Sequence, residues 1–129
     1  MLSSNAFDYV NVLDKAMDTS WKRETVIANN IANATTPTYK RKDIDFASAL
    51  KEEITRIRYT SIDNAIRTMD LDDVNPEVYT DHAHYSYRID KNNVDPDTEN
   101  VELASEQLRY QSLSTAMNME FARFKSVMK

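Results

Sequence analysis

The chain has 129 residues, a net charge of −5, no glycine and no cysteine, which predicts one domain with a single modest core. Without cysteine there is no disulfide, thiolate metal site or cysteine nucleophile, and without a basic stripe nucleic acid is a poor partner. No membrane-spanning apolar run is present, and the first residues lack the basic head and apolar body of a cleaved secretory signal.

The first predicted element is a long amphipathic helix within residues 1–39. Its apolar residues recur at steps of three and four with one gap: Phe7, Val10, Leu13, Met17, Trp21, Ile27 and Ile31. Asn5 can cap the start, and Pro37 bars continuation at the other end. We therefore expect a helix of about 29 residues and about 43 Å.

The end of this helix carries no charge, because residues 25–39 contain no Asp, Glu, Lys or Arg. Asn29, Asn30 and Asn33 stand there among alanine and isoleucine. Burying an unpaired charge costs several kcal/mol, so the composition suits a helix surrounded by other helices, with amides bonding across subunits. The asparagines could equally mark a fraying helix end.

The middle segment, residues 40–94, has a weaker pattern. A helical period continues through four apolar residues, Phe46, Leu50, Ile54 and Ile57, and predicts a shorter helix from about Ile44 to Tyr59. Residues 60–93 are acidic and lack a sustained period, so we expect an extended loop. Apolar residues alternate with polar ones only at Tyr85, Tyr87 and Ile89, which could form a short β-hairpin.

The middle segment also holds the few residues with site-like chemistry. Asp81, His82 and His84 are types that bind metals, but no fourth ligand is signalled and exposed histidines are common in polar loops. The basic run at residues 40–42 is compensated by nearby aspartates. Catalytic spacings and glycine-rich phosphate loops are missing. We expect no catalytic residue, no metal site and no cofactor.

The last predicted element is a second long helix within residues 95–129. Asp95 is suited to cap it and Pro96 to occupy its first position. Its main apolar stripe steps by three and four through Tyr110, Leu113, Met117, Phe121, Phe124 and Met128, and a rotated second stripe consists of Val101, Ala104 and Leu108. One partner helix cannot cover both stripes, so the second favours self-assembly.

Together these elements predict an all-α fold. The long N- and C-terminal helices would pair antiparallel in a coiled-coil-like hairpin, with both termini at one end. The shorter helix and the extended loop would lie between them. The expected organisation is an N-terminal helix with its turn at 1–39, a middle segment at 40–94 and a C-terminal helix at 95–129.

Two segments resemble a known family. ANNIANATTPTYKRKDIDF, residues 28–46, closely resembles the N-terminal signature of bacterial flagellar basal-body rod proteins, and NNVDPDTENVELASEQLRYQ, residues 92–111, resembles their C-terminal element. LRYQ, followed by Met119, Phe121, Phe124 and Lys125, is similar to the proximal rod subunits. Relatives usually carry glycine where this chain has Thr38, and threonine there favours a type I turn or an extended exit.

The resemblance implies a non-enzymatic subunit of the proximal rod in the periplasm, exported by the flagellar type III apparatus without a cleaved signal peptide. Implied partners are other copies, other rod subunits, the ring-to-rod junction protein and the export gate, with no nucleic acid and no membrane insertion. The alternative is a soluble helical adaptor that binds a partner's amphipathic helix.

Fifteen residues are expected to pack between subunits. They are Ile27, Asn29, Asn30, Ile31, Asn33, Pro37, Tyr39, Val101, Ala104, Leu108, Tyr110, Leu113, Met117, Phe121 and Phe124.

Overall fold

The computed structural model describes residues 5–58, 61–82 and 88–128. Within them a 3-10 turn at Asn5–Phe7 is followed by four α-helices: α1 Asp8–Ala32, α2 Phe46–Arg56, α3 Ile62–Thr68 and α4 Pro96–Val127. Two short strands, β1 Lys42–Ile44 and β2 Val78–Thr80, pair antiparallel, with Asp43 opposite Tyr79. The described chain is mostly helical and carries a small sheet, so the all-α prediction was incomplete.

The two long terminal helices are present, as the apolar period predicted, with 25 residues in α1 and 32 in α4. Asp95 caps α4: its carboxylate accepts the Thr98 hydroxyl at 2.8 Å and the Asp97 N–H at 3.1 Å. These hydrogen bonds, that of Thr98 first, lower the pKa of Asp95. Pro96 is the first helical residue, where its missing N–H costs no hydrogen bond.

The middle segment contains one helix more than predicted. The expected helix is α2, which begins after Asp45, whose carboxylate accepts the Ser48 N–H at 2.9 Å. The predicted extended loop over 60–93 was wrong at α3, which Ser61 caps and which buries Ala65. Seven residues are too few to show a helical period, so its start depends on a local cap that the apolar pattern does not report.

The sheet also differs from the expected hairpin. Tyr85, Tyr87 and His84 lie outside the described residues, and Ile89 lies in a turn with its side chain fully exposed. The two observed strands pair with each other although α2 and α3 separate them in the sequence. Three residues per strand give too little alternation to detect, and their partner is distant in sequence.

The chain divides into two compact units. Unit 1 comprises Met1–Thr19, Asp45–Pro76 and Gln111–Lys129. The rings of Phe7 and Phe124 are in contact there, with centroids 4.9 Å apart. Its buried apolar side chains are Val10, Ala65, Met69 and Val74.

Unit 2 comprises Ser20–Ile44 and Glu77–Tyr110, and so holds the end of α1, the sheet and the start of α4. Its buried apolar side chains are Ile27, Ala34, Ile44 and Val94. Equally buried are polar and charged ones: Ser20, Asn30, Asp43, Asn92, Glu99 and Glu106. The interior of unit 2 is therefore organised as much by hydrogen bonds as by apolar packing.

The apolar core is thin. Among the described residues, eight apolar side chains are buried while twelve large ones are exposed. A chain of this length has little apolar burial to spare, so this ratio indicates surfaces suited to further packing. Within the same residues, no helix combines the length and apolar character needed to cross a bilayer.

Candidate functional site

The two segments that carry the family resemblance meet inside unit 2, and Asn30 joins them. Its amide nitrogen donates to the Lys42 carbonyl at 2.8 Å and to the Glu99 carboxylate at 3.1 Å. Its amide oxygen accepts the Lys42 N–H at 3.0 Å and the Tyr39 hydroxyl at 3.1 Å. All four bonding positions of the amide are used, and the side chain has no exposed area. Asn30 thus pairs with β1 as a neighbouring strand would.

Arg41 is the second link between these segments. Its guanidinium donates to the carboxylate of Glu99, which is 1% exposed, and to Asp43 at 2.9 Å. A further bond of 3.3 Å reaches Asp81, just after β2. The Arg41 side chain therefore connects the start of α4 to β1 and to the end of β2.

Arg23 makes the corresponding links from α1. It donates twice to Asp43, at 2.7 and 3.1 Å, and to Glu102 at 2.9 Å and Glu106 at 2.6 Å. Glu106 is 2% exposed and also accepts the Ser20 hydroxyl at 2.5 Å. We call Arg23, Asn30, Arg41, Asp43, Glu99 and Glu106 the polar cluster.

The hydrogen bonds between Asp43 and Arg23 favour the charged forms of both side chains. Burial alone would raise the pKa of the Asp43 carboxyl, but hydrogen bonds from Arg23, the adjoining backbone N–H and Arg41 lower it below the ordinary value. The hydrogen bond to Asp43 raises the pKa of Arg23. Burial, with the charge of Glu99, raises the pKa of Tyr39. Asp43 and Arg23 are therefore both charged at neutral pH.

The carbonyl groups at the end of α1 are bound by Asn92. Its amide nitrogen donates to the carbonyls of Asn33 at 2.9 Å, Ala34 at 3.1 Å and Thr36 at 2.9 Å. Arg88 donates to the Ala34 carbonyl at 3.0 Å. A helix end leaves carbonyls without intrahelical partners, and a fully buried amide supplies them here.

The turn after α1 corrects the expectation for Thr38. The Tyr39 N–H donates to the Thr36 carbonyl at 3.3 Å, with Pro37 and Thr38 between them, and Thr38 has φ 63°. Positive φ after proline belongs to a type II turn and not to the expected type I turn or extended exit. The Thr38 N–H also donates to the Asp90 carbonyl at 2.8 Å. Bonds on both sides hold threonine in a conformation suited to glycine.

The predicted packing residues fall into three groups by exposure. Fully buried are Ile27 and Asn30. Half-buried are Ile31, Asn33, Tyr39, Tyr110, Leu113, Met117 and Phe124. Exposed are Asn29, Pro37, Val101, Ala104, Leu108 and Phe121. The amide of Asn30 is thus satisfied inside its own chain, and that of Asn33 bonds locally, donating to the Asn29 carbonyl at 2.8 Å.

The structure separates the two stripes predicted on α4. Val101 and Leu108 are 69% and 65% exposed, whereas the main stripe is half-buried from Tyr110 to Met117. Towards the helix start, the buried face continues at steps of three and four through acids: Glu99, Glu102 and Glu106. Sequence reasoning missed the charged members of the polar cluster because it followed apolar residues only. Their shared register with Tyr110, Leu113 and Met117 was the available signal.

The residues considered above as metal ligands, and those of the basic run at residues 40–42, are exposed or make hydrogen bonds within the chain where the structure describes them. Asp81 accepts from Arg41, His82 is exposed, and His84 lies outside the described residues. Arg41 of the basic run points to carboxylates, and Lys40 donates to the Lys91 carbonyl at 2.5 Å. Across the part of the chain that the structure describes, no group of three or more His, Cys, Asp or Glu residues is arranged to hold a metal.

The polar cluster connects elements and leaves its buried polar atoms satisfied, at least among the described residues. Together with the exposed apolar stripe of α4, which includes Val101 and Leu108, this arrangement is typical of a structural protein that packs against other chains. Comparison with models of protein families gives no match.

Individual proteins do match, over nearly the whole chain. The chain is 36% identical to the flagellar basal body rod protein FlgB of Bacillus subtilis, over 90% of this chain and 89% of the relative. It is 33% identical to FlgB of Escherichia coli, over 89% and 88%, and 32% identical to FlgB of Borrelia hermsii, over 92% and 91%. The chain belongs to the FlgB family of flagellar basal body rod proteins. These relatives are structural proteins and not enzymes.

Proposed function

We propose that this protein is a structural subunit of the proximal rod, exported through the flagellar type III apparatus and assembled into the axial drive shaft. The observation that carries the proposal is the match to FlgB proteins over about nine tenths of the chain. The segments that resemble the rod-protein signatures contain every member of the polar cluster except Arg23, so the resemblance includes residues that hold unit 2 together.

We also propose that α1 and α4 pair antiparallel. Within unit 2, residues later in α1 contact residues earlier in α4: Ser20 bonds Glu106, whereas Asn30 bonds Glu99. Within unit 1, Phe7 near the start of the chain contacts Phe124 near its end. The two contacts in unit 2 have the order that an antiparallel pair requires.

The proposed partners are other copies, the remaining rod subunits, the ring-to-rod junction protein and the export gate. The surface available to them includes the exposed members of the predicted packing set, of which Val101, Leu108 and Phe121 are large and apolar. Covering each such side chain contributes about 1.5–3 kcal/mol when burial is complete. Ile27 and Asn30 would support this surface from inside the chain.

Deletion of the gene in its own bacterium tests the function. Deleted cells should not swim, and their basal bodies should lack a rod above the inner-membrane ring. A plasmid copy should restore both, and an epitope on that copy should be found at the rod base in purified basal bodies. Normal swimming after deletion would contradict the proposal.

Stoichiometry separates a rod subunit from the alternative, a helical adaptor. When the purified chain is mixed with other rod subunits, light scattering should increase as copies add in an open array. A discrete complex that saturates with one partner and never grows would favour the adaptor.

A further inference from the structure

The two outer edges of the small sheet in unit 2 differ, and that of β1 is already occupied. The Asp81 N–H donates to the Arg41 carbonyl at 2.8 Å, and in an antiparallel ladder such hydrogen-bonded pairs recur at every second residue. The backbone groups of Lys42 therefore face away from β2, and the Asn30 amide binds both of them. The outer edge of β1 is thus covered by a side chain of α1.

The outer edge of β2 is open. By the same alternation, the N–H and C=O groups of Val78 and Thr80 face away from β1. Among the residues that the structure describes, no hydrogen bond is made to these four groups, and both side chains are exposed. A strand edge with unpaired backbone groups is a surface on which an extended peptide can add as a further strand.

The side chains next to this edge have an acidic pattern. Successive side chains of a strand point to opposite faces, so Glu77, Tyr79 and Asp81 share one face, on which Asp81 also contacts Arg41. Glu77 is exposed, and Tyr79 is 47% exposed. A strand added to β2 would therefore meet an aromatic side chain with an acid on either side of it.

A cavity lies on the same face of the sheet. Its volume is about 550 Å³, and Arg41, Asp43 and Asp81 form part of its lining. The complete lining contains five acids and three arginines: Asp43, Asp81, Asp95, Glu99 and Glu102, with Arg23, Arg41 and Arg88. The acids are in excess, so a cationic side chain entering from an added strand would improve the charge balance.

These charges select the kind of strand that fits the edge. If β2 of two copies paired antiparallel about Tyr79, Glu77 of each copy would lie opposite Asp81 of the other, and like charges in such positions are destabilising. A parallel pairing would likewise place acids beside acids. A strand with a base at both positions and an apolar residue between them instead complements all three side chains. The edge is therefore suited to a basic segment of another protein and not to a second copy.

We propose that the outer edge of β2 binds an extended basic segment of another protein as a third strand. The backbone of this segment pairs with Val78 and Thr80. Its two bases lie opposite Glu77 and Asp81, and the base opposite Asp81 extends towards the cavity. The contact goes beyond the proposed function, because it uses unit 2 alone and needs no assembled rod.

Nuclear magnetic resonance of the purified, isotope-labelled chain tests this contact with synthetic peptides. The probe is the peptide KTVTK, blocked at both ends, whose lysines fall opposite both acids in either strand direction. Its binding should shift the amide signals of Val78 and Thr80 and slow their hydrogen exchange. The same peptide with both threonine nitrogens methylated lacks the donors that face β2 and should leave these signals unchanged. The peptide ETVTE should bind at least about tenfold more weakly, because its acids face acids.

Variants of the chain test each part of the contact. Glu77→Lys should weaken the binding of KTVTK about tenfold and strengthen that of ETVTE. Asp97→Lys makes the same change of charge at an exposed position of α4 and should alter neither. Thr80→Pro removes one outward N–H and keeps the hydrogen bond between Asp81 and Arg41. It should weaken the binding of KTVTK without changing the signals of residues outside the sheet.

Four results would overturn the proposal. Equal binding of KTVTK and ETVTE would show that charge does not select the partner. Unchanged signals of Val78 and Thr80 in millimolar KTVTK would show that the edge binds no such strand. Without peptide, protection of both amides that grows with the concentration of the chain would identify a second copy as the occupant, and protection in dilute chain would show that the chain covers its own edge. The rod function is tested separately, by the gene deletion, and stands or falls independently of these results.

Discussion

Asn30 shows how a single side chain can substitute for secondary structure. Lys42 of β1 needs a backbone partner on the side away from β2, and the Asn30 amide supplies both a donor and an acceptor there. The same amide donates to Glu99, so one residue connects α1, β1 and α4. The asparagine side chain is uncharged and carries both a donor and an acceptor at the length that these partners require. This explains why asparagine occurs at position 30 of the charge-free segment. Of the other two, Asn33 bonds locally at the helix end and Asn29 is exposed.

Asn30→Asp tests this role with almost no change in shape. The substitution removes both donors and places a carboxylate beside that of Glu99, so the free energy of unfolding should fall by about 3 kcal/mol. Urea denaturation followed by circular dichroism measures it. Asn29→Asp, at an exposed position one residue earlier, should change stability by less than about 0.5 kcal/mol. Equal effects of the two substitutions would contradict the assigned role.

Thr38 has a φ of 63°, a backbone conformation that glycine adopts more easily than threonine. Left-handed φ costs a residue with a side chain about 1–2 kcal/mol, while glycine loses about 0.5–1 kcal/mol more backbone entropy on folding. Thr38→Gly should therefore stabilise the chain by about 0.5–1 kcal/mol. Thr35→Gly is the control: Thr35 has no positive φ, so only the entropy loss applies and stability should decrease. A less stable Thr38→Gly variant would show that the turn is not strained.

At the scale of elements, the sequence predicted the two long helices, which depend on residues close in sequence, but not the contacts between residues distant in sequence. The apolar period and the Asp95 cap predicted both terminal helices, because each turn of a helix is specified by residues three and four apart. The pairing of Lys42–Ile44 with Val78–Thr80 has no such signal, since its partners are brought together by the packing of everything between. The polar cluster likewise joins three elements, and only the register of Glu99, Glu102 and Glu106 hinted at it.

Arg23 is the residue on which α1, β1 and α4 most depend for their charge balance. Arg23→Gln would leave the buried carboxylates of Glu106 and Asp43 without their main cation, so the free energy of unfolding should fall by about 3–5 kcal/mol. Denaturation by urea measures the loss. Lys22→Gln removes the same charge from an exposed neighbouring position and should have little effect. A similar small effect of both would mean that solvent, and not Arg23, balances the cluster.

The pH dependence of stability should contain a contribution from Asp43. Its pKa is lower in the folded chain than in the unfolded chain, so its contribution is fully present above the unfolded value of about 3.9. It is lost as the pH falls through the lower folded value. Unfolding measured from pH 6 down to pH 3 should therefore show a steeper decrease for the natural chain than for Asp43→Asn. Parallel curves would show that Asp43 binds its proton equally in both states.

At the scale of the whole molecule, the described residues combine buried polar groups that are hydrogen-bonded with large apolar side chains that remain exposed. Burial in unit 2 is largely polar, and hydrogen-bonded polar groups give geometry more than net stability. The exposed stripe on α4 does not contribute to that interior. The α4 residues that point into the interior are acids, which accept hydrogen bonds from arginines and from Asn30. If the protein assembles as proposed, folding depends on one face of α4 and assembly on the other, and substitutions on the exposed face should separate the two.

Leu108→Lys is the substitution that should separate folding from assembly most clearly. Leu108 is 65% exposed in the chain, so its replacement should change the free energy of unfolding by about 0.5 kcal/mol or less. In an assembled rod the new charge would be buried against another subunit, which costs several kcal/mol, and cells with this variant should not swim. Gln107→Lys adds the same charge at an exposed position beside the stripe and should permit swimming. Motile Leu108→Lys cells, or a variant that unfolds on its own, would refute the assignment of this face to assembly.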